Sequence, residues 1–397
     1  MRVLIVNTSE RTGGAAVAAG RLMDALRMEG VDCRMLVADK QSDSSLVAET
    51  APRWRRKLNF LFERLIIYMR RGFTRRGLFS VDPMLTGTDI TSHKFFKEAD
   101  VVHLHWVGQG MLSHRDIEKI ICSGKAVVWT MHDMWATTGA SHLRADHNDK
   151  SDRLAQSTFR KKQKLYSLQN ITFVSCSRWL EKIARRSPLL SGQDILTIPN
   201  PIDTTVFSPG SRQEARRRLG LPLDKKMMLF GAVNIGDKLK GADYLIQACN
   251  LLGDMKGGLE LLIIGNASES LCGAIPLTTH NMGYISSDER LVDIYRAADI
   301  FVTPSLLENL PNMIMEAMST GTPCVGFRVG GIPEMIDDGL TGRTAEYKSA
   351  SSLACCIRDV LADDGQMRLA SREKAVREYS QATVARKFIQ LYNKKLK

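Results

Sequence analysis

Two carboxylates stand eight positions apart in the stretch ENLPNMIMEAMSTGTPCVGF, Glu308 and Glu316, among apolar and small neighbours. The runs DIFVTPS before them and PCVGF after them read as buried strands. A carboxylate between buried strands is costly unless something binds it. Pro311 is placed to open the helix PNMIMEAMST. The first amides and the positive end of that helix favour a diphosphate. Glu316, just over one turn inside, is then in reach of ribose hydroxyls, and Glu308, on the loop, of a sugar. The glycines of GTPCVG and VGGIPE let backbone approach a ligand. Gly13 and Gly14, a pair after the first apolar run and before a helix, do the same at the amino terminus. His103 and His105 in HLHW share one strand face by alternation. With His132 and Asp133 in TMHD they could compose a metal site, but the set does not stand at a defined metal-ligand spacing. The other reading places His103, His105 and Asp133 on the acceptor side of a cleft and His132 in the cleft beside them, with no metal.

The elements that must position these residues alternate along the whole chain. RVLIVN is followed by a helical run, then CRMLVAD, ADVVHLHWV, KAVVWTMHD, ITFVSCS and ILTIPN. A second set runs KMMLFGAV, LELLIIGN, DIFVTPS and PCVGF. Near-continuous apolar strands separated by helices predict parallel sheets covered on both faces. Two successive sets in 397 residues predict an α/β chain of two doubly wound, Rossmann-like domains facing a central cleft. The join falls in IPNPIDTTVFSPGS, where Pro199, Pro201 and Pro209 stiffen a linker. The boundaries expected are 1–198, 199–375 and a final helix over 376–397 that packs back across the junction. The polar stretch 140–163 reads as a long loop leading into a basic helix.

Composition narrows the class. The eight cysteines are scattered without a C-x-x-C, as free thiols in a reducing cytoplasm would be. MRVLIVNTSE turns polar too early for a signal peptide, and the apolar runs are too short to span a bilayer. The formal charge of +12 is concentrated in Arg53–Gly77, where arginines such as Arg55, Arg56, Arg70 and Arg71 flank FLF and LIIYM. That pattern fits an amphipathic helix on the anionic cytoplasmic face of a membrane, or a solvated helix whose apolar face packs into its own domain. Nucleic acid is a weaker reading, since no zinc-finger, RNP or P-loop pattern is present.

ENLPNMIMEAMSTGTPCVGFRVGGIPEMI resembles the E-x7-E hallmark of the retaining GT-B glycosyltransferases of family 4, with its E-A-M, G-x-P and G-G-x-P-E followers. The resemblance extends to TGGAA, TMHD, the linker and DKLKG, and so touches most of the chain. HLHW, HDMW and ENLPN look most like bacterial exopolysaccharide, capsule and colanic-acid-type enzymes. It implies Glu316 on the ribose and Glu308 on the donor-sugar hydroxyls. It further implies Lys240 on the leaving diphosphate, with Lys238 beside it, and His132 near the reacting centre. Gly13, Gly14 and the loop residues Asn309, Leu310, Asn312 and Met313 complete the donor site. It implies a UDP- or GDP-sugar substrate, a lipid-linked or polysaccharide acceptor and no cofactor. Two departures stand out: Asn234 lies near the place of the family's arginine, and Pro311 removes one amide donor from the diphosphate loop. Against this reading stand a nucleotide-sugar epimerase or glycoside phosphorylase on the same fold, and a non-catalytic protein that binds glycan or membrane.

Overall fold

The computed structural model describes residues 1–75, 78–143, 152–168 and 171–397. The chain divides into two compact units, Met1–Pro201 with Gln381–Lys397, and Ile202–Ser380. The first unit therefore runs to Pro201 rather than 198, and the second to Ser380 rather than 375. The reason is local: the Ile202 N–H donates to the Tyr379 carbonyl at 2.8 Å, so the two ends of the second unit are tied to each other. The final helix, Gln381–Lys395, belongs to the first unit. Its Val384, Ala385, Phe388, Leu391 and Tyr392 share a core with Ala19, Leu22 and Leu26 of the helix Gly14–Met28.

The first unit holds a sheet of seven strands. These are β1 (Arg2–Ser9), β2 (Asp32–Asp39), β3 (Val47–Glu49), β4 (Val101–Leu104), β5 (Ala126–Met131), β6 (Ile171–Ser175) and β7 (Asp194–Thr197). Their order is β3-β2-β1-β4-β5-β6-β7. The second unit has six: β8 (Lys226–Asn234), β9 (Leu259–Asn266), β10 (Thr279–Asn281), β11 (Ile300–Thr303), β12 (Cys324–Phe327) and β13 (Gly342–Ala345), ordered β10-β9-β8-β11-β12-β13. Every pairing in both sheets is parallel. The cause is legible in residues such as Val101, Val102, Phe301 and Val302, which are buried because helices cover both faces.

In such a sheet the strand order reverses at one place, and ligands gather beyond the carboxyl ends of the two strands there. In the first sheet that place is between β1 and β4. In the second it is between β8 and β11. The loops leaving those four strands carry Gly13 and Gly14, His105 and Trp106, Lys238 and Lys240, and Glu308.

Of the stretch 140–163, residues 144–151 lie outside the described residues, and a helix spans Arg153–Tyr166. Arg76 and Gly77, at the end of the basic segment, lie outside them as well.

Candidate functional site

In the second unit the loop after β8 tightens into a 3-10 turn over Lys238–Lys240, capped by the Asp237 side chain on the Leu239 amide. Gly241 follows with φ of 71°, and a Cβ there would stand 1.9 Å from the Pro304 carbonyl oxygen. Only glycine allows this loop to lie so close to the one that leaves β11. A backbone bond from Leu306 N–H to the Leu239 carbonyl, 2.7 Å, joins the two. Lys240 Nζ then meets Glu308 Oε1 at 2.6 Å, both side chains partly exposed. From the other side Gly330 presses in with φ of 60°, its missing Cβ only 1.8 Å from the Glu308 carbonyl oxygen, and Gly331 N–H donates to that oxygen. Three loops thus hold one ammonium and one carboxylate in contact at the switch point.

The helix after this loop is Asn312–Ser319, and Pro311 precedes it with ψ of 121° instead of opening its first turn. Extended backbone is what a position just outside a helix takes. Asn309, Asn312 and Met313 are half-buried and Leu310 is buried. Leu310 and Met313 can therefore offer a ligand little beyond backbone. The Met313 methyl lies over Gly231 of β8, where a Cβ would stand 2.3 Å from it. Glu316 is buried, and its Oε2 accepts the Tyr295 hydroxyl at 2.8 Å. Part of the carboxylate's need for a partner is thus met inside the domain. Tyr295 escaped sequence reasoning because it sits at a core-like position of the helix Asp288–Ala297.

Lys238 is exposed, on the outside of its turn. Asn234, where the family writes arginine, uses its Oδ1 to accept the Gly236 amide of its own turn. Among these residues Lys240 is the cation aligned with Glu308.

In the first unit, Gly13 ends the loop after β1 with φ of 95° and precedes the helix Gly14–Met28. A Cβ on Gly13 would meet nothing within 4 Å, so that loop is open at this point. His105, Trp106, His132, Asp133 and His142 line a shallow open hollow together with Asp82. His105 Nδ1 and His132 Nε2 are 2.9 Å apart, and His132 Nδ1 lies 3.7 Å from Cys176 Sγ. Burial pushes His132 down to about 4 and His105 well below its ordinary value, so both are neutral near pH 7. Asp133 accepts from the Trp135 amide, and its other oxygen meets His142 Nδ1 at 2.9 Å. Burial opposes charge on both partners, yet their mutual attraction leaves His142 raised and Asp133 lowered. Asp82, Trp106 and His142 were not singled out from sequence; only Trp106, inside HLHW, carried any mark.

His103 differs from the expectation for it. It is fully buried, with Nδ1 2.7 Å from the Tyr392 hydroxyl and Nε2 2.7 Å from Thr130 Oγ1. It fastens the last helix to the sheet and does not reach the hollow. Among the described residues no three His, Cys, Asp or Glu side chains cluster as a metal site requires.

Two family models match the chain. "Glycosyltransferase Family 4" covers residues 12–206 and "Glycosyl transferases group 1" covers 224–363. Among curated relatives, the D-inositol 3-phosphate glycosyltransferase of Corynebacterium aurimucosum is 35% identical over 220 residues, 51% of this chain and 51% of that protein. The chain thus spans about half the length of that relative. Two solved structures share the fold over nearly the whole chain. Sucrose-phosphate synthase from Thermosynechococcus elongatus has a TM-score of 0.69 at 18% identity, covering 99% of each chain. Anabaena HepE, solved with UDP and glucose, has 0.68 at 14% identity, covering 99% of this chain and 100% of its own. The fold is thus that of the GT-B structures, and each parallel-sheet domain is similar to a glycosyltransferase family model, family 4 in the first and group 1 in the second.

Proposed function

We propose that the protein transfers a glycosyl group, with retention, from a UDP- or GDP-sugar to a hydroxyl of a lipid-linked or polysaccharide acceptor in surface-glycan assembly. The observation that carries this reading is the Lys240–Glu308 contact at the switch point of the second sheet, 2.6 Å long. A diphosphate arriving there competes with Glu308 for Lys240 and takes the ammonium as its counter-charge. Glu308, released, accepts hydroxyls of the donor sugar. The bond from the anomeric carbon to the diphosphate oxygen breaks as the acceptor oxygen bonds to that carbon on the same face. The acceptor proton passes to the departing phosphate oxygen. Lysine and the first amides of the helix Asn312–Ser319 stabilise the leaving charge, so no metal is called for.

HepE, solved with UDP, supports a uridine nucleotide, and the second domain is the one with the matching cation and carboxylates. The acceptor reading rests on the hollow in the first domain. It presents the carboxylates Asp82 and Asp133 with His142 beside them. A neutral polyol or sugar suits that balance better than a phosphate monoester such as the corynebacterial relative's name describes.

The donor assignment is tested by paired variants at Glu316. Glu316→Gln is expected to weaken UDP or GDP binding by about tenfold or more, the value of one charge-assisted hydrogen bond to ribose. Tyr295→Phe removes the internal bond but keeps the carboxylate, and is expected to bind nucleotide within about threefold of wild type. Isothermal titration of both decides the matter. Glu316→Gln binding like wild type removes the ribose role, and equal losses in the two variants mean that Glu316 acts through packing against Tyr295.

A further inference from the structure

The helix Arg53–Arg70 turns the wrong way for a helix that belongs only to its own core. Its buried residues are Glu63, Arg64 and Ile67. Glu63 accepts from Arg64 and from the Leu85 amide, and Arg64 donates to the carbonyls of Leu78 and Val81. Asn59 donates to the Gly87 carbonyl. The inner face is thus largely polar and knitted to the segment 78–88.

The outer face is apolar. Trp54, Leu58, Leu61, Phe62, Leu65 and Met69 are all exposed, between 46% and 66%. At about 100° per residue these six fall within one arc of about 100°, running ~22 Å along the axis. Phe73, 67% exposed just past the helix end, and Phe79 continue the apolar surface. Exposed cations border it: Arg53 and Lys57 along one edge, Arg55 and Arg70 along the other, with Arg75 beyond. Arg56 and Arg71, which the sequence alone groups with them, are instead tied to Glu49 and Asp152. The one acid between Arg53 and Arg75 is Glu63, and it is buried.

We propose that this face seats the protein on an anionic lipid surface, with the six apolar side chains in the acyl boundary and the bordering cations at the headgroups. The charge pattern selects this occupant. A second copy packed helix to helix would set one cationic border against another, whereas anionic headgroups neutralise both borders at once. Among the described residues no helix is long and apolar enough to cross a membrane, so the attachment is from one side. It also places the first-domain hollow one layer behind the membrane face, because Asp82 and Met84, which line the hollow, lie in the segment the helix holds. That is where an acceptor with a lipid tail would present its head. The attachment itself requires no substrate, so its test is separate from that of sugar transfer.

The full chain is mixed with vesicles of phosphatidylcholine alone or with a third of phosphatidylglycerol, and bound protein is measured by flotation. Binding to the anionic vesicles at low salt is expected, at least tenfold weaker on neutral vesicles and at least tenfold weaker in 0.5 M NaCl. Arg53, Arg55, Lys57 and Arg70 changed together to glutamine, and separately Leu58, Leu61 and Leu65 to serine, are each expected to lose at least tenfold. These side chains are exposed, so thermal unfolding should be unchanged. Should the serine variant misfold, a blue shift of tryptophan emission on vesicles that Trp54→Phe abolishes stands in for it. No binding by wild type to anionic vesicles overturns the proposal. So does binding indifferent to the glutamine changes, or a concentration-dependent dimer that the serine changes dissolve.

Discussion

Lys240→Ala is expected to lower turnover by about 10²- to 10³-fold, the usual loss when one preorganised charge is removed from a developing anion. Two effects act in the same direction. The departing diphosphate loses its nearest cation, and Glu308, now without its partner at 2.6 Å, faces the incoming phosphates as an uncompensated carboxylate. Nucleotide affinity should therefore fall along with turnover, since the diphosphate is present in every bound state. Lys240→Arg keeps the charge on a longer planar fork and is expected to recover part of the loss. Lys238→Ala, on an exposed side chain outside the turn, is expected to cost much less. Steady-state kinetics with a nucleotide-release assay separate these cases. A Lys240→Ala enzyme within about threefold of wild type would show that the Lys240–Glu308 contact is only a loop fastener, worth at most about 1 kcal/mol as an exposed pair.

The first domain is expected to lose stability steeply as pH falls from 6.5 to 5. Burial, and secondarily the neighbouring His132, holds His103 down to about 3, and His105 is pushed in the same direction by burial and its histidine neighbours. The unfolded chain takes up these protons near pH 6.5 and the folded chain does not, so stability rises with pH across that window. The contribution is fully present above 6.5 and is lost on acidification towards 3. For His103 alone the loss at pH 5 is about 2 kcal/mol, or on the order of 4–8 °C in Tm for a domain of this size. His103→Gln, which does not titrate, should flatten the slope between pH 6.5 and 5. All five tryptophans lie in this domain, so tryptophan emission follows its unfolding separately from the second domain. A Tm that is flat across the window, or equally steep in His103→Gln, would mean that His103 is protonated in the folded protein.

Much of this is legible in the amino-acid sequence itself. Apolar runs such as VVHL and DIFVTPS are strands buried on both faces, and their alternation with helices is enough for two parallel sheets. The closeness of Lys240 to Glu308 follows once both are placed after switch-point strands. What stayed hidden depends on contacts between distant residues. Alternation puts His103 and His105 on one face, and their rings are indeed 4.4 Å apart. But the last helix lands on His103 through Tyr392, 289 positions away, and closes it off while His105 stays at the hollow. Glu316 looked like a carboxylate waiting for ribose, yet Tyr295, from a separate helix, already holds one of its oxygens. The helix Arg53–Arg70 showed its amphipathic pattern plainly. Which face turned inward was decided by the buried Glu63 and Arg64 meeting the segment 78–88, and periodicity alone does not report that.

Incubation of the full chain with UDP- and GDP-sugars in the presence of EDTA, with nucleotide release followed over time, tests the central claim most directly. The account predicts release of UDP or GDP from at least one such sugar, undiminished by the chelator and slowed about a hundredfold or more by Lys240→Ala. Absence of release from every sugar tried with lipid-linked and soluble glycan acceptors, or release that the chelator stops, would contradict it.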